Sequence, residues 1–236
     1  YDIRGQRFDG AGTSIGDEFL VNTHVSGHQY DPSVVAHGDG FVVAWSDSDG
    51  NNDGRGGSSW DVFAKTFTTT GVDTPVVGVD EFKVNSYHSG SQYEPSVGSI
   101  DGGFVVVWRD DKGGSHDGGS GIDVFGQRYD DTGAPVGDDF LVNAEADSGG
   151  QYQPSITDLG DGNFVVIWRD DTGGSHDKND SDPTKGSSND VRGQVFSTTT
   201  VDDEGKEIPT PAPLGGDFRV NSYFSSSQYE PSVAAL

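Results

Sequence analysis

Apolar residues in this chain come in short bursts of β-branched and aromatic side chains, each bounded by Gly, Asp, Asn or Ser. Three bursts are nearly identical: Gly40-Phe41-Val42-Val43-Ala44-Trp45, Gly103-Phe104-Val105-Val106-Val107-Trp108 and Asn163-Phe164-Val165-Val166-Ile167-Trp168. They are apolar at consecutive positions, as expected of central strands covered on both faces. No stretch combines a 3.6-residue period with caps, so almost no helix is expected. Asp39-Gly40, Asp101-Gly102 and Asp161-Gly162 are hairpin-turn signals.

The bursts belong to a repeat. Gln-Tyr-x-Pro-Ser occurs at Gln29, Gln92, Gln151 and Gln228, with starts 63, 59 and 77 residues apart. After it come the apolar burst and an acidic Gly-rich loop. A third element follows (Asp61-Val62-Phe63, Asp123-Val124-Phe125, Asp190-Val191-Arg192), and then a fourth (Phe82-Lys83-Val84-Asn85, Phe140-Leu141-Val142-Asn143, Phe218-Arg219-Val220-Asn221). Residues 1–28 carry the last two elements as a half unit, 29–91, 92–150 and 151–227 are full units, and 228–236 is the first strand of another. The third full unit has an insertion between Thr200 and Gly215. Pro32, Pro95, Pro154 and Pro231 are placed just ahead of each first strand, where a missing N–H costs little.

Four antiparallel strands per unit define an all-β chain of tandem four-stranded units. One such sheet cannot bury its own faces, so neighbouring units stack. A β-propeller-like arrangement is expected, as a closed four-bladed ring or an arc of a larger propeller, with tandem sandwiches or a solenoid as the competing arrangement.

Composition removes several function classes. Lys and Arg number 14 against 39 Asp and Glu, a net charge of −25. That excludes a nucleic-acid binder or a protein docked on anionic lipid. No apolar run approaches a membrane span. Cysteine is absent, so disulfides and thiolate metal sites are ruled out. Methionine is absent even at position 1, which suggests a processed product or fragment.

The acid-rich loops suggest hard cations. Asp47, Asp49, Asn51 and Asp53 alternate as oxygen ligands in an EF-hand loop do, although Asn52 and Ser58 stand where that loop needs Gly and Glu. Asp110, Asp111 and Asp117, and Asp170, Asp171 and Asp177, are the corresponding sets. The alternative is a solvated acidic loop. Gly118-Gly119-Ser120-Gly121-Ile122-Asp123 has the form of a calcium-binding nonapeptide but occurs once. Ser-His-Asp at Ser115–Asp117 and Ser175–Asp177 is no triad, because neighbouring side chains cannot align nucleophile, base and orienter. Trp60 has no evident counterpart in the other units, and is either an exposed stacking platform for sugars or a plain loop residue. Trp45, Trp108, Trp168 and the recurring tyrosines are expected to be packing residues.

Gln-x-x-Pro-Ser-Val, Asp-Gly-Gly-Phe-Val-Val-x-Trp, Gly-Gln-Arg-Phe-Asp and Gly-x-x-Phe-x-Val-Asn resemble repeats of large secreted bacterial proteins of the RTX, hemolysin-type calcium-binding group. The resemblance is carried best by Gln92–Asn143, while Ala64-Lys65-Thr66-Phe67 and Val195 depart from it. It implies a calcium-stabilised structural or adhesive module, secreted or at the cell surface. Equivalent repeated loops argue against an enzyme, whose active site is normally unique, and the expected partners are calcium, glycans or, through the open end units, further copies of itself. A carbohydrate-binding propeller lectin is the alternative, and the propeller domain of a polysaccharide-active enzyme a third reading.

Overall fold

A computed structural model describes residues 1–49, 60–68, 77–78, 80–86, 90–111, 121–143, 149–171, 189–199, 201, 208–222 and 227–235. The described residues are strand, turn and irregular chain, with no helix among them. The first blade comprises β3 (Gln29–His37), β4 (Gly40–Asp47), β5 (Asp61–Thr68) and the short outer strands β6 (Val77–Gly78) and β7 (Phe82–Lys83). The second is β8 (Gln92–Ile100), β9 (Gly103–Asp110), β10 (Asp123–Asp130) and β11 (Pro135–Leu141). The third is β12 (Gln151–Gly160), β13 (Asn163–Asp170), β14 (Asp190–Ser197), β15 (Ala212–Pro213) and β16 (Phe218–Arg219). Ahead of them, β1 (Arg4–Phe8) pairs with β2 (Ser14–Leu20) as a two-stranded sheet.

Within each blade the strands run antiparallel in sequence order, and the outer position of the first and third blades is shared by two short strands. This is the β-propeller-like fold expected from the repeat, with the Gln-Tyr-x-Pro-Ser strand innermost. The insertion in the third unit contributes β15, which pairs with β14. The hairpin turns fall at Asp101-Gly102 and Asp161-Gly162 as expected. In the first blade the turn is Gly38-Asp39, one residue early, because His37 pairs with Gly40.

The prolines sit differently from the expectation. Pro32, Pro95 and Pro154 lie inside the inner strands, not before them. Register shifts between Tyr30 and Ser33, Tyr93 and Ser96, and Tyr152 and Ser155. Two residues face one there, so a bulge absorbs the proline that a continuous ladder could not hold.

The apolar second strands are buried on both faces, as read from their consecutive apolar residues. Val42 and Ala44 pack toward the second blade in a cluster with Val97, Phe104, Val106 and Trp108, while Val43 and Trp45 pack the other way, with Ile3, Val21 and Phe63. Trp45, Trp108 and Trp168 are fully buried, which confirms them as packing residues. Each blade also holds a closely stacked cross-strand aromatic pair at the same place: Phe41–Phe67 at 4.8 Å, Phe104–Tyr129 at 4.9 Å and Phe164–Phe196 at 5.3 Å between ring centres.

Blades are also tied by a repeated polar lock. The asparagine ending each Val-Asn string accepts a hydrogen bond from a third-strand N–H: Ile3 to Asn22 at 2.8 Å, Val62 to Asn85 at 2.9 Å, Val124 to Asn143 at 2.8 Å and Val191 to Asn221 at 2.7 Å. The same amides donate to Asp2, Asp61, Asp123 and Asp190. The next unit's glutamine N–H then donates back across the junction: Gln29 to the Tyr1 carbonyl (3.1 Å), Gln92 to Trp60 (2.9 Å), Gln151 to Ile122 (2.8 Å) and Gln228 to Asn189 (3.1 Å). Buried polar groups are tolerable only when paired in this way.

Candidate functional site at one end of the inner strands

The four Gln-Tyr-x-Pro-Ser strings converge at one end of the inner strands. Their x residues all adopt left-handed backbone: Asp31, Glu94 and Gln153 at φ +53° and Glu230 at +50°. For residues other than Gly, Asn and Asp this conformation costs on the order of 1 kcal/mol or more, and such strain concentrates at functional sites. The x and Pro residues of the four strings, with Ser33, Ser96 and Ser155, line a shallow depression of about 330 Å³. Glu94 Oε2 accepts from the Gln153 N–H at 2.7 Å, and Gln153 Oε1 accepts from the Glu230 N–H at 3.1 Å. Each such contact places one unit's polar side chain on the backbone of the next.

Beside this opening the preceding tyrosines form a continuous ladder. Tyr1 lies 5.7 Å from Tyr30, Tyr30 stacks 5.5 Å from Trp60, and Trp60 lies 5.4 Å from Tyr93. Arg109 continues it, its guanidinium 5.3 Å from Tyr93 and 4.8 Å from Tyr152. Arg169 lies 4.2 Å from Tyr152 and 5.4 Å from Tyr229. Arg109 also pairs with Asp111 at 2.7 Å and stands 3.6 Å from Glu94. Burial raises the Tyr152 phenol above its ordinary range, and Asp171 adds to the shift.

Trp60, half-buried, is therefore a rung of the ladder, and it does have counterparts. Its junction position is filled by Tyr1, Ile122 and Asn189 in the other units. Where Trp60 bridges two tyrosines, the residue after Trp45 is Ser46; where Ile122 and Asn189 stand, the residues after Trp108 and Trp168 are Arg109 and Arg169. That exchange was present in the sequence as a compensating pair. The tyrosines do pack, as expected, yet Tyr30 and Tyr229 keep 39% and 61% of their surface exposed, enough for a ligand to reach.

The loop acids divide into three groups. Asp47, Asp110 and Asp170 end the second strands and are buried. Asp47 accepts from the Gln29 amide at 3.2 Å and the Asp49 N–H at 2.8 Å, and burial raises its carboxyl above the ordinary value despite these bonds. The Gln92 amide lies against both Asp110 and Asp61. Asp49, Asp111 and Asp171 sit at the rim: Asp49 against Ser26 and His24, Asp111 on Arg109, and Asp171 accepting from the Gly150 N–H. Asn51, Asp53, Asp117 and Asp177 lie outside the described residues. Among the described residues no group of three His, Asp or Glu side chains is placed to hold a metal ion.

No family model matches the chain, and no curated protein matches it. Solved structures similar to it include an endo-arabinase from Bacteroides thetaiotaomicron (16% identity, TM-score 0.45, 84% of this chain and 66% of that one). An α-L-arabinofuranosidase from Lactobacillus brevis shows 8% identity and TM-score 0.47 over 84% of this chain and 60% of that one. An exo-1,5-α-L-arabinanase from a bovine ruminal metagenomic library shows 16% identity and TM-score 0.42 over 82% and 60%. The chain thus spans less than two thirds of the length of these structures.

These findings correct three expectations. The resemblance to the RTX calcium-binding group is overturned: no family model matches the chain, and the similar structures named above are an endo-arabinase, an α-L-arabinofuranosidase and an exo-arabinanase. The reading as a calcium-stabilised structural or adhesive module falls with it. The expectation that the chain is no enzyme is likewise corrected: the similar structures are those of an endo-arabinase, an α-L-arabinofuranosidase and an exo-arabinanase, each matched at the level of the fold.

Proposed function

We propose that this chain is a carbohydrate-recognising β-propeller-like module acting outside the cell, with the depression ringed by Asp31, Glu94, Gln153 and Glu230 as its glycan site. The observation that carries the reading is an aromatic ladder running beside four polar residues in left-handed backbone, three of them strained, that line one opening. Pyranose and furanose rings present C–H faces that pack on aromatic surface, while their hydroxyls donate to carboxylate and amide oxygens. Three of the four x residues are acids and the chain carries −25, so neutral sugars are favoured over polyanionic ones. Calorimetric titration with neutral oligosaccharides, arabino-oligosaccharides among them, and with uronate oligomers tests this. Saturable binding of a neutral glycan that Tyr229→Ala weakens is the expected result; heat that does not saturate with any neutral glycan defeats it.

Glycoside cleavage is a second reading, favoured by one observation: the carboxylates of Asp31, Glu94 and Glu230 line the same opening. Hydrolysis needs one carboxyl to protonate the leaving oxygen and another to attack or to activate water. Reducing-end release from α-1,5-arabinan, lost in Asp31→Asn and Glu230→Gln, is its test.

A further inference from the structure

β1 pairs with β2 alone among the described residues, although the equivalent strands β5, β10 and β14 each have an apolar second strand on their other edge. We propose that the edge of β1 opposite β2, which pairs with no described strand, is a docking site for an extended peptide strand of the Gly-Phe-Val-Val-x-Trp type, added antiparallel from outside the 236 residues.

The chain's own repetition specifies the occupant. Gly5, Arg7 and Phe8 pair with β2 as Gly126, Arg128 and Tyr129 pair with β11. In β10, Tyr129 stacks on Phe104 of the adjoining apolar strand, and Phe67 and Phe196 stack likewise on Phe41 and Phe164. Those three rings are 3%, 4% and 1% exposed, whereas Phe8 is 61% exposed. The floor repeats the pattern. Val97 and Ile156, at the same place in the inner strands, are 5% and 6% exposed, and Val34 is 66% exposed. Between them runs a groove of about 300 Å³, lined by Ile3, Gly5 and Phe19 on one wall and Val34, Phe41 and Val43 on the other.

At the two complete junctions the corresponding space is filled by side chains of the second strand, Val42 and Ala44 in one and Val105 and Val107 in the other. The occupant therefore needs a Phe opposite Phe8 and alternate Val, Ala or Ile residues facing Val34 and Val43. A second copy has β4, β9 and β13 already paired on both edges and cannot lend them without opening a blade.

The test uses the full chain and a labelled synthetic peptide with the Gly103–Asp110 sequence on a Ser/Gln tail. Controls are the same peptide with Val106→Pro or Phe104→Ser. Fluorescence anisotropy should saturate with the parent peptide and show at least tenfold weaker binding for either control. Val34→Lys, at an exposed position, should keep the parent melting temperature and lose binding by a similar factor. Hydrogen exchange at residues 4–8 should slow when the peptide is bound. Equal binding of the proline peptide, or protection that leaves 4–8 unchanged, overturns the proposal. So does a concentration-dependent dimer that Val34→Lys abolishes and the peptide does not displace, since the groove would then serve a second copy.

Discussion

The guanidinium of Arg109, on the second blade, lies 4.8 Å from the ring of Tyr152 on the third. The same guanidinium stands over Tyr93 of its own blade, so one cation bridges two sheets whose backbones meet only in an isolated bridge at Ile122 and Gly150 among the described residues. It is half-buried and also held by Asp111, so it stays oriented between the rings.

A cation–π contact of this exposure is worth roughly 0.5–2 kcal/mol. A double-mutant cycle of Arg109→Met and Tyr152→Leu, read by urea melts, should give a coupling of about 1 kcal/mol. Coupling indistinguishable from zero would make the ladder a by-product of the blade junction.

The Asn85 lock predicts a larger effect. Replacing Asn85 with Leu strands the Val62 N–H and removes a donor from Asp61, both buried. An unsatisfied buried group costs about 1–3 kcal/mol, so a loss of roughly 2–4 kcal/mol is expected in equilibrium unfolding. Asn143→Leu, at the next junction, should cost a similar amount, whereas Thr13→Ala, on an exposed turn, should fall within about 0.5 kcal/mol of the parent.

The strand pattern was legible because it depends on local chemistry. Gly-Phe-Val-Val-x-Trp reads as a two-faced buried strand, and each Gln-Tyr-x-Pro-Ser string marks the start of a unit, the first three opening the three blades. The site was legible only in part. Nothing in Glu94, Gln153 and Glu230 as residue types announces left-handed backbone, since glycine, Asn and Asp are its usual markers and only Asp31 of the four is one of these. Asp47, Asp110 and Asp170 read as loop ligands because sequence cannot tell a carboxylate at a strand end, buried against an amide, from one in solvent. The ladder required knowing that Trp60 and Arg109 fill like gaps from different strands.

Asp47 gives a pH signature. Its carboxyl is raised above 3.8 by burial, so the folded state holds the proton more tightly than the unfolded one. A raised acid stabilises the fold below its unfolded value and loses that contribution as pH rises through the folded value. Asp47→Asn removes the ionisation and one acceptor, so its absolute stability falls with the lost hydrogen bond. The informative quantity is the difference in melting temperature, mutant minus parent, which should become more favourable to the mutant between pH 3.5 and pH 7. A difference that is flat with pH counts against burial as the source of the shift.

Calcium is tested by the rim acids. Asp49, Asp111 and Asp171 sit where chain segments leave the second strands, and a cation that binds only the folded loops adds about 2.7 kcal/mol at a hundredfold excess over Kd. Apart from the structural-module reading corrected above, we propose that these acids bind calcium, so that millimolar CaCl2 raises the melting temperature beyond NaCl of equal ionic strength and Asp49→Ala with Asp111→Ala reduces the gain. Equal protection by both salts assigns the effect to screening of the −25 charge.

Glu230 separates strain kept for function from strain kept for packing. Its backbone lies at φ +50°, which glycine adopts freely and glutamate does not, and its side chain is exposed at the rim of the depression. Glu230→Gly relieves the left-handed penalty and adds backbone entropy to the unfolded chain. The two terms are each about 1 kcal/mol and opposed, so stability should change by less than about 1 kcal/mol in either direction. Glycan binding should fall at least tenfold, because the oxygen acceptors at that corner are gone. Glu230→Gln keeps an acceptor and the same backbone, and should retain binding while losing any hydrolysis. If Glu230→Gly binds the glycan as the parent does, the strained corner has no part in recognition, and the left-handed residue serves only to set the path into Pro231.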